Sequence, residues 1–528
     1  MYAPQSAHPS GVLAAYTRSR RSWLSAQNGR VHYGERRAEC ASCRSVPGVS
    51  DTRNAPSDSQ ESSVLATGTT RPNVVLINCD DLGYGDLGCY GSDINKTPAI
   101  DSLAADGLRF DSFYMASPVC SPSRGALLTG CYPPRIGFGS FDGWPVLFPG
   151  QALGLQPDEI TLGALLSAAG YRTQMIGKWH CGDQPPFLPT NHGFDHYFGL
   201  PYSNDMGRQV PMAPPRAGKE PIYLPPLPLL IDDTVIEQQP EQGGLTERYV
   251  AEAVRFIRDS ANTPFFLYLA HMYVHVPIYV QERFARQSKN GRYGAAVETI
   301  DWATAVILRE LRALGLDHNT IVIFTSDNGS RGVEGGSNAP LRGTKGTTWE
   351  GGMRVPGIVR WPARISPGRT NSELATAMDL YPTLASLCGA ALPTDRTIDG
   401  RDITTLLIDG DASSPHQAFF YYWMNDLEAV RNRRWKLHLA KHGTPMSALY
   451  DLIADPFERD NLVEHHPAVV DDLNGHAERA RASLGDKLTG RVGSDVRAVG
   501  RVDAPQPLTV YDPTHPYYIA EYDMADRG

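Results

Sequence analysis

Eight residues able to carry charge, ligate a metal or move a proton stand in four pairs, each just after a short apolar run. Asp80 and Asp81 follow residues 74–77, Lys178 and His180 follow 171–176, His271 and His275 follow 265–269, and Asp327 and Asn328 follow 320–324. In open α/β sheets, ligands bind beyond the carboxyl ends of the strands. Each pair alone has an ordinary reading, because Asp and Asn cap helices and His often sits in a satisfied hydrogen bond. The four together predict one shared site. The oxygens of Asp80, Asp81, Asp327 and Asn328 suit Ca²⁺ or Mg²⁺ rather than zinc, which favours His and Cys. Asn328-Gly329-Ser330 also fits a glycosylation sequon, a reading that a metal-ligating Asn would oppose.

Cys120-Ser121-Pro122-Ser123-Arg124 is the sharpest motif. The pattern predicts a helix over 121–129, with Pro122 in its first turn and Gly130 at its end. Cys120 then lies at a helix N-terminus, where free N–H groups and the helix dipole favour an anion. A buried structural cysteine fits the same local pattern equally well.

The elements that must position these groups alternate along the chain. The runs at 74–77, 171–176, 265–269 and 320–324 read as strands. Residues 161–169 read as a helix capped by Thr161. The stretch 245–259 places Tyr249, Ala253, Phe256 and Ile257 on one helical face, and 297–314 turns Ile300, Ile307, Leu308 and Leu311 inward before Gly315. This predicts an α/β fold with a mostly parallel central sheet sandwiched by helices. After residue 410, short strands at 418–423, 429–431 and 435–439 and a helix at 469–484 predict a smaller C-terminal α+β subdomain with an antiparallel sheet. The expected division is a disordered segment 1–70, a catalytic domain 71–410, the subdomain 411–486 and an extended tail 487–528 carrying Pro505, Pro507, Pro513 and Pro516.

Composition sets outer limits. The 528 residues are 41% hydrophobic and 20% charged, the balance of an ordinary globular protein. No apolar run reaches about 18 residues, so no membrane span is expected. A net charge of −9 argues against a broad nucleic-acid-binding surface, yet allows a small anionic substrate in a locally positive site. Eight cysteines are too sparse for a disulfide scaffold, and Cys40 and Cys43 have no second pair at zinc-finger spacing. The cluster Arg18, Arg20 and Arg21 is followed by no apolar stretch, so no secretory signal is readable.

Five motifs occur in order: Asn78-Cys79-Asp80-Asp81, the Cys120 motif with Leu128-Thr129-Gly130, Gly177-Lys178-Trp179-His180, Thr325-Ser326-Asp327-Asn328-Gly329, and Gly343-Thr344-Lys345-Gly346 running to Trp349-Glu350-Gly351-Gly352. Over about residues 72–470 the chain resembles the type I, formylglycine-dependent sulfatases of the alkaline phosphatase superfamily. Pro201-Tyr202-Ser203-Asn204-Asp205 is most similar to the arylsulfatase A branch. Trp435-Lys436-Leu437 and Leu449-Tyr450-Asp451-Leu452 resemble the family's usual ending, whereas Cys181 stands where the family usually has Leu.

The resemblance implies a sulfatase that hydrolyses aryl sulfates or sulfated carbohydrates. Cys120 would be oxidised to Cα-formylglycine by a formylglycine-generating or other sulfatase-maturating enzyme. Asp80, Asp81, Asp327, Asn328 and the modified Cys120 would hold Ca²⁺, with Mg²⁺ as the other option. One hydroxyl of the hydrated aldehyde would attack sulfur, and the second would let sulfate depart. Arg124, Lys178 and Lys345 would hold the charge, His275 with Lys345 would protonate the leaving alcohol, and His180 would act as base. Ser203 would bond the sulfate or its carrier. His271 is placed behind these groups, and Trp179 is read as packing. Two alternatives stay open: a phosphonate or phosphate ester hydrolase of the same superfamily, and a non-catalytic sulfated-glycan binder with Cys120 unmodified. The resemblance also implies a periplasmic or secreted location. Substrate choice is assigned to the irregular loops 141–156 and 209–230.

Overall fold

Val74-Val75-Leu76-Ile77 forms a strand buried on both faces. Val74 and Leu76 pack into one apolar layer with Leu127, Leu128, Leu165 and Leu166. Val75 and Ile77 enter the opposite layer with Tyr249, Phe256, Ile300 and Ile307. A strand covered twice needs apolar residues at successive positions, which is why the run does not alternate. The computed structural model describes residues 71–207, 224–517 and 522. The segment 1–70 with Cys40 and Cys43, most of the 209–230 loop and the last part of the tail lie outside the described residues.

In chain order the main-sheet strands are β1 (Asn73–Cys79), β2 (Leu108–Tyr114), β3 (Arg172–Gly177), β4 (His196–Gly199), β5 (Pro228–Ile231), β6 (Thr234–Gln238), β7 (Phe265–Ala270), β8 (Thr320–Ser326), β9 (Arg354–Arg360) and β10 (Arg369–Asn371). They lie in the order β10-β2-β9-β8-β1-β7-β3-β4-β5-β6. The central strands β8, β1, β7, β3 and β4 are parallel. Against the simple alternation expected, β9 runs antiparallel to both β8 and β2.

The register decides where the chemistry can sit. Cys79 pairs with Ser326, Asn78 with Ala270, and Ala270 with Gly177. Four adjacent strands therefore end on one line. Helices α1 (Cys120–Thr129) and α2 (Leu162–Ala168) cover one face, and α3 (Leu245–Asp259) and α4 (Gly291–Ala313) cover the other. The Thr161 hydroxyl accepts from the Ala164 amide and caps α2. Helix α4 starts six residues before the expected 297, because Gly-Arg-Tyr-Gly-Ala-Ala carries little apolar periodicity although Tyr293, Ala295 and Ala296 are buried.

The C-terminal sheet consists of antiparallel β11 (Phe419–Trp423), β12 (Asp426–Arg431), β13 (Trp435–Lys441) and β14 (Thr444–Asp451). Helix α5 (Pro467–Leu484) packs Leu473, Ala477 and Leu484 onto Leu427, Ala429 and Leu437. A buried ionic cluster joins this sheet to the turn after the Gly-rich motif. Lys436 Nζ lies 3.0 Å from Glu350 and 2.9 Å from Glu458, and donates 2.8 Å to the Thr348 carbonyl. Tyr114 and Tyr421 donate to Glu350 at 2.6 and 2.8 Å. Burial alone would raise the Glu350 carboxyl, but Lys436, Arg431 and Arg354 hold it near 2. A depressed carboxyl contributes stability that is present above the unfolded value and lost as pH falls toward the folded one. Glu350→Gln is expected to cost on the order of 3 kcal/mol at pH 7. In urea titrations run from pH 7 to pH 3, the gap between native and variant should begin to narrow below about pH 4.5 and keep narrowing toward pH 3.

Candidate active site

The ladder continues one step past the strand ends and fixes the functional backbone. The Asp327 amide donates to Cys79 O at 2.9 Å, Asp80 to Tyr273 O at 3.1 Å, and Lys178 to Ala270 O at 2.9 Å. A side chain on Gly177 would come 1.8 Å from Ala270 O, so only glycine lets β3 lie this close before Lys178. Asp81 and His180 both adopt φ 59°, the left-handed region that Asp and His tolerate better than bulkier residues. Such backbone outliers concentrate where a side chain must be aimed.

Around Cys120 the structure gathers Asp80, Asp81, Arg124, Lys178, Ser203, His275, Asp327, Asn328 and Lys345. Cys120 Sγ lies 3.5 Å from Asp80 Oδ1. Arg124 on α1 donates through Nε to Asp327 Oδ2 at 2.8 Å, and through Nη1 to the Lys178 carbonyl at 2.7 Å. Lys178 Nζ is 2.5 Å from Asp80 and donates to Ser203 Oγ at 3.3 Å. Lys345 Nζ donates to Asp81 Oδ2 at 2.9 Å, and Asn328 Nδ2 to Asp81 Oδ1 at 2.7 Å. Ser203 Oγ stands 3.4 Å from the His275 ring.

The electrostatics follow from burying all of these together. Burial alone would raise Asp80, but Lys178, His275 and Arg124 hold its carboxyl far below the usual range. Burial and the Asp80 charge together push Asp327 up to about 6. Burial opposes the charges on Lys178 and Lys345, and Asp80 and Asp81 respectively more than restore them. Burial and Lys178 push His180 well down, and burial and Lys345 push His275 down to about 3. Both rings are neutral at pH 7. Burial pushes the Cys120 thiol up.

His180 Nε2 lies 3.0 Å from the Leu147 carbonyl. A carbonyl only accepts, so Nε2 carries the ring proton and Nδ1 keeps the lone pair, with no protein partner. Leu147 N in turn donates to Ser121 Oγ at 3.1 Å. This peptide clamps α1 to His180. Sequence reasoning missed the clamp because Leu147 takes part through its backbone atoms, and it also missed the anchoring role of Glu350. His271 lies at the end of β7 with both ring nitrogens lacking a protein partner, and burial pushes it down to about 4. Trp179 is buried, donates to Phe187 O at 2.8 Å and packs on His192. Cys181 is buried in the apolar layer beneath α1 and α2.

Asp80, Asp81, Cys120 and His275 each offer a ligand atom, all within 4.8 Å of one another. Beside them, Asn328 Oδ1 is buried with no hydrogen bond to accept. Oxygen donors with an orphaned acceptor fit a hard cation. Asp327 meets Arg124 with one oxygen and the Asp81 amide, at 3.3 Å, with the other.

A mostly parallel sheet whose level strand ends carry carboxylates, lysines and histidines around a helix N-terminus is the architecture of an alkaline-phosphatase-like hydrolase. The sulfatase family profile matches residues 72–390, and that of the C-terminal part of N-sulphoglucosamine sulphohydrolase matches 344–482. Human arylsulfatase A is 43% identical over 422 residues, covering 76% of this chain and 81% of that protein. N-acetylgalactosamine-6-sulfatase of Rattus norvegicus is 41% identical over 392 residues, covering 71% and 73%. The crystal structure of PsFucS1 sulfatase from Pseudoalteromonas sp. aligns with a TM-score of 0.69 at 29% identity, covering 80% of this chain and 92% of that one. The chain belongs to the sulfatase family, in its arylsulfatase A-like branch, and is a sulfuric ester hydrolase. Among the described residues no helix is long and apolar enough to cross a membrane.

Arg124→Leu leaves Asp80 and Asp327 buried beside a vacated guanidinium site. A loss of about 3–5 kcal/mol is expected, read by urea unfolding. Arg124→Lys, which keeps charge without the forked geometry, should recover only part of it.

Proposed function

We propose that the chain hydrolyses sulfate esters through a Cα-formylglycine made from Cys120, beside a calcium ion held by Asp80, Asp81, Asp327 and Asn328. The observation that carries this reading is charge balance around Cys120. Three carboxylates, on Asp80, Asp81 and Asp327, face three cations, on Arg124, Lys178 and Lys345. The set is neutral by itself, and a bound dication makes it positive by about two, which favours a sulfate group gaining charge. The cation supplies Lewis acidity, and the hydrated aldehyde supplies a hydroxyl nucleophile and a second hydroxyl for release.

The chain's own groups have separable tasks. A thiol pushed up by burial is a poor nucleophile at neutral pH, and native sulfur has no second hydroxyl with which to release the sulfate. Arg124 is locked by Asp327 and the Lys178 carbonyl and holds charge without moving. Lys178 and Lys345, now paired with Asp80 and Asp81, would be free to meet sulfate oxygens if those carboxylates held a cation. His180 receives a proton at Nδ1, the atom that its Leu147 contact leaves free. His275 is neutral in the resting site, so Lys345 is the charged proton source for the leaving alcohol, and an arriving anion shifts His275 toward the same task. Ser203 lies between Lys178 and His275 and orients the ester.

Mass analysis of the Cys120 peptide, from protein made beside a formylglycine-generating enzyme, should show conversion of thiol to aldehyde and reaction with a hydrazide. An unmodified thiol and no turnover would put the glycan-binder reading first. An aryl sulfate should turn over at least tenfold faster than the matching aryl phosphate monoester, and the reverse order would make the chain a phosphoester hydrolase. Calcium at about 100 times its dissociation constant should stabilise the native protein by about 2.7 kcal/mol in thermal unfolding. Asn328→Ala should remove most of that gain.

A further inference from the structure

Cys120 is only 2% exposed and Asp80, Lys178 and Asp327 beside it are fully buried, so a sulfate group bound among them would leave its carrier nearer the surface. The tip of the β11–β12 hairpin lies against Gly346, the residue after Lys345. Trp423 pairs with Asp426, which leaves Met424 and Asn425 as a two-residue turn. Such turns favour Asn and Gly, yet Met424 is held at φ 55°. Packing on both sides fixes this conformation. A side chain on Gly139 would meet Asn425 Oδ1 at 2.2 Å and Met424 O at 2.7 Å, so the tip lies directly against the segment after α1. On its other flank, the Trp423 ring lies 3.8 Å from where a Gly346 Cβ would be, and His442 meets the ring edge-to-face at 5.1 Å.

Gly346 is the link to the chemistry. Its amide donates 2.9 Å to the carbonyl of Pro118, two residues before Cys120, and it follows Lys345, whose Nζ reaches Asp81. The Trp423 ring is half-buried and uncharged, with a single N–H donor, so most of what it offers is apolar surface. Its flat apolar face suits a ring presented face-on.

We propose that Trp423 is a specificity-determining residue, the platform on which the leaving group of the ester stacks, and that preferred substrates carry their sulfate on a pyranose or aryl ring. This rests on the sulfate-ester reading above. It places part of substrate choice in the C-terminal sheet, outside the loops 141–156 and 209–230.

The test compares native protein with Trp423→Ala, Trp423→Leu and Trp423→Phe on methyl sulfate, 4-nitrophenyl sulfate and N-acetylgalactosamine 6-sulfate, with inorganic sulfate as competitor. Trp423→Leu keeps apolar volume without a ring face, and melting temperatures check that each variant folds. For at least one ring substrate, KM should rise tenfold or more in the Ala and Leu variants with kcat within about threefold, and Phe should restore most of the loss. Methyl sulfate kinetics and inhibition by inorganic sulfate should stay within twofold. The ring that suffers more distinguishes sugar from aryl. An equal loss on methyl sulfate, or none on either ring, overturns the proposal. Binding of 4-nitrophenyl sulfate by calorimetry is measured alongside. Native protein that turns over nothing overturns the hydrolase reading, and the platform then stands or falls on whether Trp423→Leu weakens that binding.

Discussion

Three buried carboxylates in one cluster would repel one another and pay the full penalty of leaving water, and the structure around Cys120 is arranged to prevent this. Each has a cation of its own: Lys178 for Asp80, Lys345 for Asp81 and Arg124 for Asp327. Removing any one leaves an uncompensated charge in a low-dielectric interior. The consequence shows in Asp80 and Asp327, one held far down by its cations and the other pushed up by burial and the Asp80 charge. The cluster is neutral as it stands, so a hard cation added to it would leave it positive and suited to an anion behind.

Holding six charges at these distances demands a rigid frame. The parallel strands provide it through level register, since four strand ends on one line deliver their following residues to one place. Where the frame alone does not aim a side chain, the backbone bends into the left-handed region at Asp81 and His180. Glycine permits the closest approaches. A side chain on Gly329 would fall 1.8 Å from Gly351 O, so the turn after Asn328 and the turn after Lys345 can pack backbone to backbone. The second of these turns is pinned from behind by Glu350, Lys436 and Glu458. The C-terminal sheet thereby fixes the loop that carries Lys345.

Much of this was legible in the sequence because it is local. Apolar runs located β1, β3, β7 and β8, and the polar pairs after them marked the strand ends. Helix 245–259 was readable to the residue because its apolar face is regular. The less legible parts depend on distant partners. Strand β9, Arg-Val-Pro-Gly-Ile-Val-Arg, contains Pro and Gly and reads as a breaker, yet it is buried along its length between β8 and β2. Glu350 reads as one acidic residue in a Gly-rich motif, and only the fold reveals that it meets Lys436, Tyr114 and Tyr421. The Leu147 clamp has no side-chain signature at all.

The burial of the pocket separates two jobs. On the proposed reading, the fixed charges and neutral imidazoles around Cys120 would meet what every sulfate ester shares. Discrimination among carriers must then come from groups that touch the mouth, which are held by other parts of the chain. The hairpin tip meets Gly346, the residue after Lys345, through the uncharged Trp423 ring, so a change at that ring would leave the paired charges in place. A sheet anchored by one buried ionic knot and ending in a half-buried turn would let carrier choice vary while the chemistry stays constant. This follows from the geometry of charge burial, for a residue inside the cluster has no freedom to vary, whereas a residue one peptide outside it does.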